Sequence, residues 1–146
     1  VTSTPIFPQA PYFVAKTLAA QTACTTRGPT ATASLAAANI IEVVPTSTNG
    51  LRIDSIQVNA CSTSFTAPTA GNIVGIWVHD GTSAFLFTEI LVTAVTPSTT
   101  VAGFTTTLTF ANPLVLPSTF KLFASVSVTT TASTTALQVC VMGGSY

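Results

Sequence analysis

Apolar and polar side chains alternate with a period of two through much of the second half of the chain, the pattern of strands that bury one face. Phe104, Thr106, Leu108 and Phe110 alternate with Thr105, Thr107 and Thr109, which makes one face largely apolar and the other threonine. Phe120, Leu122, Ala124, Val126 and Val128 alternate with Lys121, Ser125 and Ser127, with Phe123 out of phase. Leu137, Val139 and Val141 make a last strand. Within Leu51–Ala60 the phase slips by one, because Leu51 and Ile53 are odd while Ile56, Val58 and Ala60 are even. Such a slip predicts a β-bulge or a change of sheet near Asp54-Ser55.

Turn chemistry divides the strands. Asn49-Gly50 stands between Ile40–Val44 and Leu51–Ala60, and Asp80-Gly81 stands between Ile73–His79 and Ala84–Val92. Both dipeptides predict a tight type I′ hairpin, in which the two central residues need φ > 0. Thr96-Pro97-Ser98 and Leu116-Pro117-Ser118 mark further turns, and residues 24–33 read as a loop. Residues 35–38 suit either a helical turn or the start of a strand running to Val44. The β-branched Ile40, Ile41, Val43 and Val44 favour the strand. The expected fold is all-β, a single antiparallel β-sandwich of seven or eight strands with jelly-roll or immunoglobulin-like order. Its expected core is Ile53, Ile56, Val58, Ile76, Trp77, Phe104, Leu108, Phe110, Leu122, Val126, Val139 and Val141.

Pro5, Pro8 and Pro11 restrict φ and favour an extended course. The organisation read from this is an extended arm over residues 1–17 and a sandwich over residues 18–146. Within the arm Ile6, Phe7, Tyr12 and Phe13 are the candidate partner-binding anchors, since prolines lower the entropy lost on docking. The alternative is an edge strand laid on its own domain.

The chain has 146 residues, a size suited to one domain with one core. Charged residues make up 5%, against about 25% in ordinary soluble domains, and the net charge is zero. With 47% hydrophobic residues the chain has the apolar content to fold, and a surface so poor in charge favours association. Threonine, about a fifth of the chain, suits strands whose outer faces are covered by a neighbour. No apolar run reaches the roughly 20 residues of a membrane-spanning helix, and Val1–Pro5 carries no leader-like pattern. Cys24, Cys61 and Cys140 are odd in number and widely spaced, which speaks against a zinc site. Three free thiols, or one disulfide and a leftover thiol, are the two arrangements left open.

Catalytic constellations are hard to assemble. The single histidine, His79, precedes Asp80 in an expected turn, so the two point apart, and no G-x-S-x-G is present. Glu42, Asp54, Asp80 and Glu89 are the only carboxylate side chains, and Asp80 is accounted for by its turn. The expectation is a non-enzymatic module without cofactor or metal. Arg52 and Asp54, two apart, suit a local ion pair or a contact with a partner. Four cations balanced by four anions do not make a nucleic-acid footprint. Trp77, Phe85 and Phe87 are either core residues or a sugar-binding platform.

Five stretches carry a resemblance: T-P-I-F-P at 4–8, N-G-L-R-I-D-S-I-Q-V at 49–58, W-V-H-D-G-T at 77–82, L-P-S-T-F-K-L at 116–122 and the ending V-M-G-G-S-Y. Together they resemble a family of small tailed-bacteriophage virion proteins, some of which serve as capsid decoration or cement proteins. Ser55 and Ser145 stand where that family's pattern has a lysine and an aspartate, so any contact made by those charges is absent here. The resemblance implies a viral structural protein on the capsid exterior, assembled in the host bacterial cytoplasm with free thiols. It also implies the major capsid protein as partner and a homo-oligomer, with a homotrimer as the guess, and assigns no active-site residues. The alternative is a receptor- or glycan-binding module of a head or tail fibre. Composition alone also fits a secreted adhesive β-domain.

Overall fold

The computed structural model describes residue 8 and residues 10–146. It contains nine strands: β1 Ala10–Leu18, β2 Thr30–Ala31, β3 Ile41–Val44, β4 Leu51–Ala60, β5 Asn72–His79, β6 Ser83–Val92, β7 Thr105–Leu116, β8 Lys121–Val126 and β9 Leu137–Ser145. They form two antiparallel sheets, a four-stranded one in the order β1-β9-β4-β7 and a five-stranded one in the order β2-β6-β5-β8-β3. Among the described residues the only helical element is a 3-10 turn at Thr32–Ser34. The all-β expectation is met in two sheets enclosing a core, with nine strands in place of the seven or eight expected, the two-residue β2 being one that no alternation could signal.

That core is built by alternation. Ile53, Ile56 and Val58 of β4 and Val139 and Val141 of β9 share one cluster with Val74 and Ile76 of β5 and Leu122 and Val126 of β8, all at most 1% exposed. Each such side chain contributes roughly 1.5–3 kcal/mol by leaving water. Leu108 and Phe110 of β7, and Phe104 immediately before it, pack on the cluster but stay half-buried, because β7 is an edge strand with no neighbour beyond it. The phase slip in β4 is a bulge: its register against both β7 and β9 shifts between Ile53 and Ser55.

Several local expectations are corrected. Asn49-Gly50 does not close a hairpin, since β3 and β4 lie in different sheets. Gly50, at φ +90°, makes the bend between sheets, where a Cβ would stand 2.7 Å from the Leu116 carbonyl oxygen. Residues 35–38 are turn and not strand, ending at Asn39 with φ +59° before β3 begins. Residues 10–17 belong to the sandwich: β1 pairs with β9 from Ala10↔Ser145 to Leu18↔Leu137, because Tyr12, Val14 and Leu18 supply an inward face. The edge-strand alternative therefore describes that part of the segment, while residues 1–7 and 9 lie outside the described residues.

Asp80-Gly81 does close a hairpin, between β5 and β6, but by different means. Gly81 alone has positive φ, at +101°, while the Asp80 carboxylate accepts the Thr82 and Ser83 backbone N–H groups at 2.8 and 2.9 Å. Those bonds hold its carboxyl below the usual range. Nothing surrounds a Cβ built on Gly81. Gly81→Val is therefore expected to cost only the backbone strain, about 1–2 kcal/mol, visible as a lowered midpoint in urea with an unchanged slope.

Phe123, out of phase in the alternation, marks a second layer. Its outward side, with Trp77, Ala84, Leu35 and Ile40, forms a separate cluster beneath the stretch from Cys24 to Ile40. β8 is consequently buried on both faces, from Leu122 through Val126.

Candidate functional site: an uncharged sheet face

The outer face of the four-stranded sheet has no such cover. Its registers place Phe13, Met142, Ser55 and Thr109 side by side in one row, Ala15, Cys140, Gln57 and Thr107 in the next, and Thr17, Gln138, Asn59 and Thr105 in the third. None of the twelve is charged. At ~4.8 Å between strands and ~3.3 Å per residue, the lattice spans about 20 Å by 20 Å. The polar members bond among themselves: Gln57 Nε2 donates to Thr105 Oγ1 at 3.0 Å, and the Cys140 thiol donates to Gln138 Oε1 at 3.5 Å. The threonine face of β7, Thr105, Thr107 and Thr109, is thus continued across the other three strands by uncharged residues of mixed type, of which only Thr17 is threonine.

The ends and edges of this face are defined by specific residues. At one end the Arg52 Nη2 donates to Asp54 Oδ2 at 3.0 Å across the bulge, so the local ion pair is the arrangement found. Both partners are more than a third exposed, so the pair contributes about 0.2–1 kcal/mol. At the same end Gly143 and Gly144 let backbone approach. A Cβ on Gly143 would lie 1.8 Å from the Arg52 carbonyl oxygen, and one on Gly144 would lie 2.4 Å from Pro8 Cβ. The Gly-Gly of the terminal motif and Pro8 of the first motif therefore meet. Lys16, paired with Val139 and so on the inward-facing register of edge strand β1, forms no ion pair among the described residues. A charge there discourages strand addition. On the other edge, β7 carries extra residues between Thr109 and Leu114, where its register against β4 jumps, and Pro113 lies in that stretch.

Of the four candidate anchors, Ile6 and Phe7 lie outside the described residues. Tyr12 is half-buried against the core, and that burial raises its phenol pKa. Phe13 stands on the outer face, 65% exposed. Trp77, Phe85 and Phe87 are not brought together. Trp77 is 1% exposed within the outer cluster, while Phe87 packs on Phe110 at the sheet edge with ring centroids 5.9 Å apart. His79 is buried: its Nδ1 accepts the Gly81 N–H at 3.0 Å, so the proton sits on Nε2, which donates to Thr32 Oγ1 at 2.7 Å. Among the described residues no three His, Cys, Asp or Glu side chains cluster in a way that could hold a metal ion.

Comparison finds no match among family models, curated proteins or solved structures.

The three cysteines are free thiols. Burial raises the pKa of Cys61, against a lowering bond from Thr17, and burial likewise raises that of Cys140. Both therefore stay protonated and slow to react. Titration in denaturant without reductant is expected to count three thiols, and in the folded protein Cys140 should react last; a count of one would reveal a disulfide.

Proposed function

We propose that the chain is a bacteriophage structural subunit, a decoration or cement protein of the capsid exterior, that binds through the uncharged outer face of its four-stranded sheet. The observation that carries this reading is that face: twelve side chains across four strands without a charge, in a molecule six of whose eight charged side chains form three ion pairs elsewhere or at its end. Covering such a face strands no ion in an interface, which is the costly step in association.

Strand order lends support. Setting aside the two-residue β2, the long strands run β1-β9-β4-β7 in one sheet and β6-β5-β8-β3 in the other. We read this as a jelly roll, an architecture shared by viral capsid proteins and lectins among others. The face, about 400 Å² at these strand spacings, is roughly half of the ~800 Å² that one partner buries in a standard interface. Attachment would then need several copies acting together, and a homotrimer is the arrangement that the family resemblance suggests. The major capsid protein is the proposed partner, and the reading includes no catalysis.

Quantifying this chain against the major capsid protein in purified particles tests the proposal. A copy number comparable with that of the capsid protein supports it. A few copies per particle would favour a fibre-borne receptor-binding module. Removing residues 1–7 tests the arm without touching β1, whereas removal through Phe13 would strip part of that strand from β9. If the arm anchors the subunit, the shorter deletion leaves a folded protein with weakened particle binding.

A further inference from the structure

The segment from Cys24 to Arg27 does not close fully on the five-stranded sheet. Between them lies a pocket of about 280 Å³. That is space for about nine water molecules at ~30 Å³ each, comparable with one sugar ring and its hydroxyls. Its floor is Gly75, where a Cβ would come within 2.7 Å of Ser125 Oγ and 3.0 Å of Trp77 Nε1, so the absence of a side chain keeps the pocket open. The Ser125 hydroxyl, 5% exposed, accepts the Trp77 indole N–H at 2.9 Å. It makes no other hydrogen bond among the described residues, so its own proton is unused. Ile73 and Leu86 form apolar walls, and the backbone of Val126, whose carbonyl accepts the Cys24 N–H at 2.8 Å, closes one side. At the rim Arg27 Nε and Glu89 Oε1 stand 2.7 Å apart.

We infer that this pocket binds a single neutral sugar ring. Each part of the lining selects for that chemistry. The rim charges cancel, so an ionic ligand would have to break the pair or enter unpaired, at a cost a neutral ligand avoids. Side by side, a guanidinium donor and a carboxylate acceptor suit neighbouring hydroxyls, each of which both donates and accepts. The apolar walls suit the C–H face of a ring, and the Ser125 proton needs an acceptor oxygen. This inference is independent of the assembly reading, because the pocket lies on the other sheet.

Trp77 is the only tryptophan in the chain, so its emission reports on the pocket floor directly. Titrating the full-length protein with methyl pyranosides of glucose, galactose and mannose is expected to give a saturable change for at least one, with Kd around 1 mM or weaker. Glu89→Gln, a substitution at the exposed rim, should weaken it about tenfold, equivalent to 1.4 kcal/mol. Glucuronate and glycerol should produce no saturable change. An oligosaccharide ending in the preferred sugar separates the sources: binding to both forms indicates the end of a glycan, binding to the methyl glycoside alone a free sugar. No saturable response to any pyranoside, an equal response to glycerol, or unchanged affinity in Glu89→Gln would each overturn the inference. None of these results bears on copy number in particles, so the two readings fail separately.

Discussion

Gly143→Ala is expected to destabilise the protein by about 3 kcal/mol or more, beyond the usual range for overpacking, and to lower Tm by roughly 10 °C. The added methyl would lie 1.8 Å from the Arg52 carbonyl oxygen, 2.8 Å from its carbonyl carbon and 3.0 Å from Ile53 Cα. All three are backbone atoms, so no rotamer change relieves the clash. The close approach falls at the pair Ile53↔Gly143, next to the bulge between Ile53 and Ser55. Relief would require β4 and β9 to separate at the centre of the four-stranded sheet, with loss of ladder hydrogen bonds and of the packing of Ile53, which is fully buried. Gly81→Val, strained in φ but unobstructed, is the internal comparison: the ratio of the two effects separates steric exclusion from backbone strain. Equal midpoints for wild type and Gly143→Ala in thermal and urea unfolding would mean that the close approach is not present in solution.

Gln57→Glu is expected to leave the fold within about 0.5 kcal/mol of wild type and to weaken particle binding by about a hundredfold or more. Gln57 lies in the middle row of the uncharged face between Cys140 and Thr107, and it is half-buried on the solvent side of β4. Glutamate has almost the same shape, so the substitution adds one charge and removes one donor, that of the bond to Thr105. In the free protein the carboxylate stays hydrated. In a complex that covers the face it would be buried without a partner, a penalty of about 3–5 kcal/mol. Ser118→Glu, in an exposed turn, serves as the control for general charge effects. Co-sedimentation with particles lacking this subunit, across a concentration series, measures the difference. Equal binding by Gln57→Glu and wild type would place the contact elsewhere on the molecule.

Much of the architecture was legible in the chain itself. Period-two alternation is a local property of strands, so β4, β7, β8 and β9 could be read directly, and the odd-to-even slip marked an irregularity near Asp54-Ser55, a bulge or a change of sheet, which the pairing resolves as a bulge. Asp80-Gly81 identified its hairpin because a tight turn is set by its own few residues, though Asp80 acts through its carboxylate and not through φ. Asn49-Gly50 misled for an instructive reason. Gly50 does need positive φ, but the same dihedral serves a bend between sheets as well as a turn within one.

The sequence by itself determined the strand class, the paucity of charge and the threonine faces, since these depend on residue type and spacing alone. Only the tertiary structure decided which strands are neighbours, and with it the candidate sites. The uncharged lattice joins residues as distant as Phe13 and Met142, and the sugar pocket joins Arg27, Gly75, Glu89 and Ser125. Phe123 shows the physical reason. Alternation reports one buried face, whereas burial of the second face depends on a distant segment, Cys24 to Ile40, folding over it. Its apolar cover is a few scattered residues with no period of their own, so nothing local announces it. The same holds for Gly75 and Gly143, whose missing side chains matter only because of what stands opposite.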